Sequence, residues 1–254
     1  MTVTAEVAWI LAVALAALRI GAVLALTPLF SLGGVPAHVR VFLVIALAAL
    51  MIGAVGIQGV TIPTSLGALA LAGLSELVLG ALLAFGVFTA FAVFQLAGRL
   101  MDMQVGFGIA ALIDPTTRTQ SPLLGTVLNI TAVAAFFAID GHHLLIRGLA
   151  FSLEHIPPGT ALTDVDPGAV VAQFGGMFVY ALALAAPVLF VIMLVDVVLA
   201  VIARSMPQVN VFIVSLPLKI FVGLIVLAIS LNYAAPLMAR VFENLFDYWH
   251  DLMT

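Results

Sequence analysis

Four ionisable side chains lie inside apolar runs: Arg19, Glu76, Asp196 and Lys219. Two kinds of chemistry fit such residues. They can form the proton or ion relay of a transporter, or they can be ion pairs that hold helices together. One lysine and one aspartate are few for a dedicated relay, and Asp196 with Lys219 is the obvious pair across the last hairpin. Packing is therefore their expected role. Their neighbours at helical spacing agree. Ala12, Ala16, Arg19 and Ala22 share a face, as do Gly73, Glu76, Gly80 and Ala84. Ala185, Asp196 and Ala200 share another, and Ser215, Lys219, Gly223 and Ser230 a fourth. Small residues let helix backbones approach, so each charge is expected to point at another helix and not at lipid.

Other candidates are weaker. His142, His143 and His155 stand near Asp140 and Glu154, but adjacent histidines on a helix point about 100° apart, and no HExxH or i,i+4 histidine pair exists. They read as interfacial histidines. Gly106-Phe107-Gly108 follows no soluble strand and completes no GxGxxG, and no serine occupies a G-x-S-x-G elbow. There is no cysteine, which removes disulfides and thiolate chemistry together. No catalytic residue, metal or cofactor is expected, and the chain does not read as an enzyme.

The segment 99–122 is unusual for a connection. Val105 to Ile113 is apolar and glycine-rich, Asp114-Pro115 turns it, and Ser121-Pro122 ends it. Such a piece should not sit in water. Either it is a re-entrant, tightly packed connection, or it plugs a pore; the residues leave both open.

The elements that must position these residues follow from composition. Of 254 residues, 65 % are hydrophobic and 8 % charged, against roughly 45–50 % and about 25 % in an ordinary soluble domain. Charge cannot cover a water-facing surface here. Eight Lys and Arg make no phosphate-tracking stripe, so nucleic acid is excluded as a partner. Six apolar stretches, 7–30, 41–57, 66–98, 123–139, 174–203 and 211–239, predict an all-α polytopic membrane protein of about six long helices arranged as hairpins. A bilayer core of ~30 Å needs about 20 helical residues, so 66–98 and 174–203 are long enough to tilt or project. Pro187 and Pro217 are expected to kink the last two helices. The first stretch is too long for a signal-peptide core and lacks a positive region before it, so the first helix is expected to be retained. His142 to Ile156 and the tail 240–254 each carry an apolar side and read as amphipathic, interfacial helices, the tail with an aromatic anchor. Arg40, Arg99, Arg118 and Arg204 fall on one side of a six-helix arrangement and Arg147 and Arg240 on the other, which favours an outside N-terminus. The one plausible boundary lies near residue 170, dividing 1–170 from 171–254.

Several motifs occur together in a familiar order. They begin with Arg19, Pro28-Leu29-Phe30, Val35-Pro36 and Arg40, then Ser75-Glu76-Leu77-Val78-Leu79-Gly80. Gly106-Phe107-Gly108 through Asp114-Pro115 follows, then Asp140-Gly141-His142-His143-Leu144-Leu145-Ile146 with Ile156-Pro157. Ala186-Pro187, Asp196, Pro207-Gln208-Val209-Asn210-Val211-Phe212 and Lys219 complete it. Over nearly the whole chain the sequence resembles the FliR family of flagellar biosynthetic proteins, whose relatives are the T components of virulence injectisomes. The resemblance implies a non-enzymatic subunit of the type III export gate in the bacterial inner membrane, within the flagellar basal body. Its implied partners are FliP and FliQ in a helical assembly around a channel, FlhB, unfolded export substrates and membrane lipid. It further implies a FliP-like part over 1–170 and a FliQ-like hairpin over 171–254. The central loop, 106–122, would plug the channel, with Gly106, Phe107, Gly108, Ile109, Leu112, Ile113, Asp114 and Pro115 as its residues. An injectisome gate subunit and a secondary transporter are the alternatives.

Overall fold

A computed structural model describes residues 2–27, 36–56, 65–107, 122–160, 166–206, 208 and 210–253. Among these residues the chain is all-α, with seven helices: α1 (Thr2–Leu26), α2 (Ala37–Val55), α3 (Leu66–Val105), α4 (Leu123–Ala138), α5 (Gly141–His155), α6 (Pro167–Ser205) and α7 (Val211–Met253). Residues 6–25 of α1 and all of α2, α3 and α6 are long and apolar enough to cross a membrane, as is α7 from Ile213. Helices α4 and α5 reach that length only together, as a pair bent by 71° at 139–140, the geometry of a broken span or of a re-entrant turn. The chain is thus an all-α polytopic membrane protein whose described residues hold five candidate spans, or six counting the bent pair.

The helix ends follow local chemistry. Gly56 takes the left-handed conformation (φ 70°) that ends α2. Ser65 Oγ accepts the Ala68 N–H at 3.1 Å and caps α3. Pro167 opens α6, where its missing N–H costs nothing, and Asp166 Oδ1 accepts the Gly168 N–H at 2.8 Å. Asp140 is the only described non-glycine residue with positive φ (59°), and it separates α4 from α5. Helices α6 and α7 continue through Pro187, Pro217 and Pro236. With 40, 39 and 43 residues, α3, α6 and α7 are the long elements. At 1.5 Å per residue each is ~60 Å long, about twice the bilayer core.

The chain divides into two compact units built from interleaved segments. The first comprises 1–89, 140–174 and 243–254. Its core joins Ala16 and Ile20 of α1, Ile52 of α2, Leu79 and Leu83 of α3, Leu149 and Leu153 of α5, and Trp249 of α7. The second comprises 90–139 and 175–242. Its core is aromatic: Phe242 lies with ring centroids 5.5, 5.9 and 5.2 Å from Phe91, Phe94 and Phe136.

The last turns of α7 do not lie free as an interfacial tail. Tyr248 Oη donates to the Leu82 carbonyl and Trp249 Nε1 to the Leu83 carbonyl, both at 2.9 Å. Gly86 makes room for the Tyr248 ring and Gly148 for the Trp249 ring. The apolar side expected of the tail is present, but its aromatic anchor grips protein. Likewise α5 turns Leu145, Leu149 and Leu153 inward.

Candidate functional site: buried charges and the base of the central loop

In the first unit Arg19 and Glu76 meet. Their side chains are 0 % and 1 % exposed, and Arg19 Nε donates to Glu76 Oε2 at 2.7 Å. Arg19 Nη2 donates to Glu76 Oε1 at 3.1 Å and to the Ile156 carbonyl at 2.9 Å. Arg19 Nη1 donates to the Ser152 carbonyl at 2.7 Å and to Ser152 Oγ at 2.9 Å. The guanidinium has five N–H donors, and each has an acceptor. Glu76 Oε1 also accepts the Gly159 N–H at 2.9 Å. The cluster joins α1, α3, α5 and the turn after α5.

The small residues around the pair explain its depth. A methyl group on Gly80 would lie 2.7 Å from the Arg19 carbonyl oxygen and 2.9 Å from Ala22 Cβ, so glycine is what lets α1 reach α3. Gly159 (φ 84°) turns the chain after Pro157-Pro158 and brings its N–H to Glu76. Ser75 Oγ, which donates to the Ala72 carbonyl at 2.8 Å, shares that proton with the Thr160 carbonyl at 3.2 Å, a weaker tie to the same turn.

In the second unit Lys219 Nζ lies 2.5 Å from Asp196 Oδ1. Gln104 Nε2 donates to Asp196 Oδ2 at 3.4 Å, which links the end of α3 to α6. This pair is not sealed: Lys219 is 21 % and Asp196 39 % exposed, on helices whose neighbouring surface is apolar.

The central loop leaves α3 and returns at α4, and its two ends are clamped. Pro122 precedes α4 and supplies no side-chain cap. Asp102, buried in the last turn of α3, does so from across the gap: its carboxylate accepts the N–H groups of Leu124 (3.1 Å) and Gly125 (3.4 Å). Those are unsatisfied donors at the positive end of α4, where a carboxylate is favoured. Beside them the α3 and α4 backbones touch. A methyl group on Gly98 would fall on the backbone of Gly125 and Leu124. Gly223 of α7 makes room for the Val105 side chain. Gly106 (φ 105°) then breaks α3, its N–H bonded to the Asp102 carbonyl at 3.1 Å.

Of the residues singled out from sequence, the structure thus brings together Arg19 with Glu76 and Asp196 with Lys219. Gly106 and Phe107 stand at the exit of α3. Gly108, Ile109, Leu112, Ile113, Asp114 and Pro115 lie outside the described residues. Asp102 is a residue of this site that the sequence reading does not single out. The signal available in the sequence is an acidic residue four before Gly106, where the apolar run gives way to Arg99, Asp102 and Gln104. The polar segment also holds a donor group that the helical spacing of histidines argues against: atoms of Asp140, His142 and His143 lie within 4.8 Å of one another. They sit at the N-terminus of α5, where the partial positive charge disfavours a cation.

Apolar helices joined by buried charges are the architecture of a multi-pass α-helical membrane protein. Comparison with known proteins narrows this. The profile of "Bacterial export proteins, family 1" matches residues 10–245. The flagellar biosynthetic protein FliR of Bacillus subtilis is 32 % identical over 93 % of this chain and 92 % of its own length. FliR of Escherichia coli is 25 % identical over 93 % of this chain and 90 % of its own. The Yop proteins translocation protein T of Yersinia pestis is 29 % identical over 66 % and 67 %. The chain belongs to the FliR family of bacterial export proteins, components of type III export.

Proposed function

We propose that this chain is a non-enzymatic subunit of the flagellar export gate in the bacterial inner membrane. With FliP and FliQ it lines the channel for unfolded flagellar proteins, and FlhB packs against the gate. Residues 1–170 form the FliP-like part and 171–254 the FliQ-like hairpin. The loop from Gly106 to Pro122 plugs the closed channel, with Phe107, Ile109, Leu112 and Ile113 as its apolar seal.

The observation that carries this reading is the clamp on the loop's base. The Asp102 carboxylate bonded to the start of α4, and the Gly98–Gly125 approach, fix both ends of an apolar, glycine-bearing excursion. A plug needs such a base: the seal must return to one place after each passage, while glycines let it move. The partly exposed Asp196–Lys219 pair supports hetero-assembly, since a charge pair on an apolar span needs protein cover. The flagellar system is favoured over an injectisome because the FliR proteins of Bacillus subtilis and Escherichia coli each match 93 % of the chain, and the Yersinia pestis translocation protein 66 %.

The test is conductance of the coexpressed gate in planar bilayers. Small substitutions through Phe107 to Ile113 should raise ion leak, and Asp102→Ala should raise it without touching the loop. Wild-type conductance in both would contradict the plug.

A further inference from the structure

We propose that the first two turns of α6, residues 167–174, form a movable strap that the side chain of Gln173 latches onto α3 and α7. Of residues 167–180 only Gln173 is buried. The apolar side chains around it, Val171, Phe174 and Phe178, are exposed. The strap thus docks by inserting a carboxamide, with the Phe174 ring stacked on Phe85 beside it at 6.4 Å between centroids. Gln173 Nε2 donates to Thr89 Oγ1 of α3 at 2.9 Å, and Gln173 Oε1 accepts from Asn244 Nδ2 of α7 at 2.7 Å. Thr89 Oγ1 gives its own proton to the Gly86 carbonyl at 2.9 Å, which ties the latch to the α3 backbone.

The two groups that receive Gln173 stand on a fixed platform. Tyr248 and Trp249 bond α7 to the α3 carbonyls of Leu82 and Leu83, so Thr89 and Asn244 keep their places whether or not the strap is seated. The register of α6 is set by the same side chain. A slip of one residue would offer Ala172 or Phe174 in its place, and neither can accept the Asn244 amide or donate to Thr89. Both bonds are made only when the carboxamide is seated, so the strap is either latched or free. Between apolar helices two such bonds hold modestly. The Arg19–Glu76 ion pair locks its helices far more firmly. Elements that move are drawn from the weakly held parts of a fold, and here the strap is that part. The latch rests on contacts within this chain and stands independently of the gate reading.

Spin-label distances measured by pulsed electron resonance on the full-length chain in mild detergent test it. The chain has no cysteine, so nitroxides attach only where cysteines are placed. Val171→Cys with Phe88→Cys, both at exposed positions, report the strap against α3. Leu18→Cys with Leu74→Cys, also exposed, report α1 against α3 as a control. With Gln173 present the strap pair should give one narrow distance. Gln173→Leu keeps the bulk and removes both bonds. A second, longer distance should appear, its population relative to the latched one raised about tenfold, as two interhelical hydrogen bonds provide. Gln173→Glu keeps the acceptor for Asn244 and loses the donor to Thr89, so it should fall between. Thr89→Val, which leaves α6 untouched, should also free the strap. The control pair should not move in any of them. One narrow strap distance in both Gln173→Leu and Thr89→Val would show that shape holds α6 in place, and would overturn the proposal. So would equal broadening at the control pair, the mark of general unfolding.

Discussion

At the scale of single residues, the chain uses charge to fix position. Arg19 is held in an apolar interior because its five donors and the Glu76 carboxylate are matched almost atom for atom. Removing one partner leaves an unpaired buried charge, which costs about 3–5 kcal/mol. Glu76→Ala should therefore lower the thermal inactivation temperature in detergent sharply. Glu76→Gln, which keeps an acceptor for Gly159, should fall between. Arg19→Lys should behave nearly as badly, because an ammonium cannot span Glu76, Ser152 and Ile156 together. Wild-type melting in any of these would contradict the network. Asp102 acts on a smaller scale, like a helix cap, for which about 0.5–2 kcal/mol is typical. In Asp102→Ala, hydrogen exchange at Leu124 and Gly125 should quicken while α5 is unchanged.

At the scale of elements, glycine decides where helices meet. A β-carbon on Gly98 lands on α4 backbone, which has no flexible end to give way. Gly98→Ala should part α3 from α4 and cost about 1–3 kcal/mol, the usual range for overpacking. Gly73→Ala is the control: its β-carbon would sit 3.6 Å from Leu18 Cδ1, an ordinary contact. Equal melting of the two variants would show that the close approach is not needed. Removing the tail's ring in Trp249→Ala should cost about 3–5 kcal/mol, since the indole is buried and bonded to Leu83. The helices themselves were legible, because long apolar runs need only length and hydropathy. So were the small faces beside Arg19 and Glu76. Two things were not. An amphipathic tail has the same pattern whether its apolar side meets lipid or protein, and only the glycines opposite, Gly86 and Gly148, distinguish them. The Asp102 clamp joins residues 22 and 23 apart. It depends on where α4 returns, which spacing within α3 does not encode.

At the scale of the whole molecule, the partly exposed Asp196–Lys219 pair stands on the broad apolar surface of α6 and α7, where the proposed gate assembly would cover it. Lys219→Ala should weaken assembly more than it alters any proton coupling. Normal complex yield with lost transport would reverse that order and favour a relay. The most direct measurement is native mass spectrometry of the tagged protein, purified after coexpression with its genomic neighbours. A gate subunit gives a hetero-oligomer containing FliP-like and FliQ-like chains. A stable monomer or homodimer that ignores those neighbours would contradict the assignment and return Asp196 and Lys219 to the transporter.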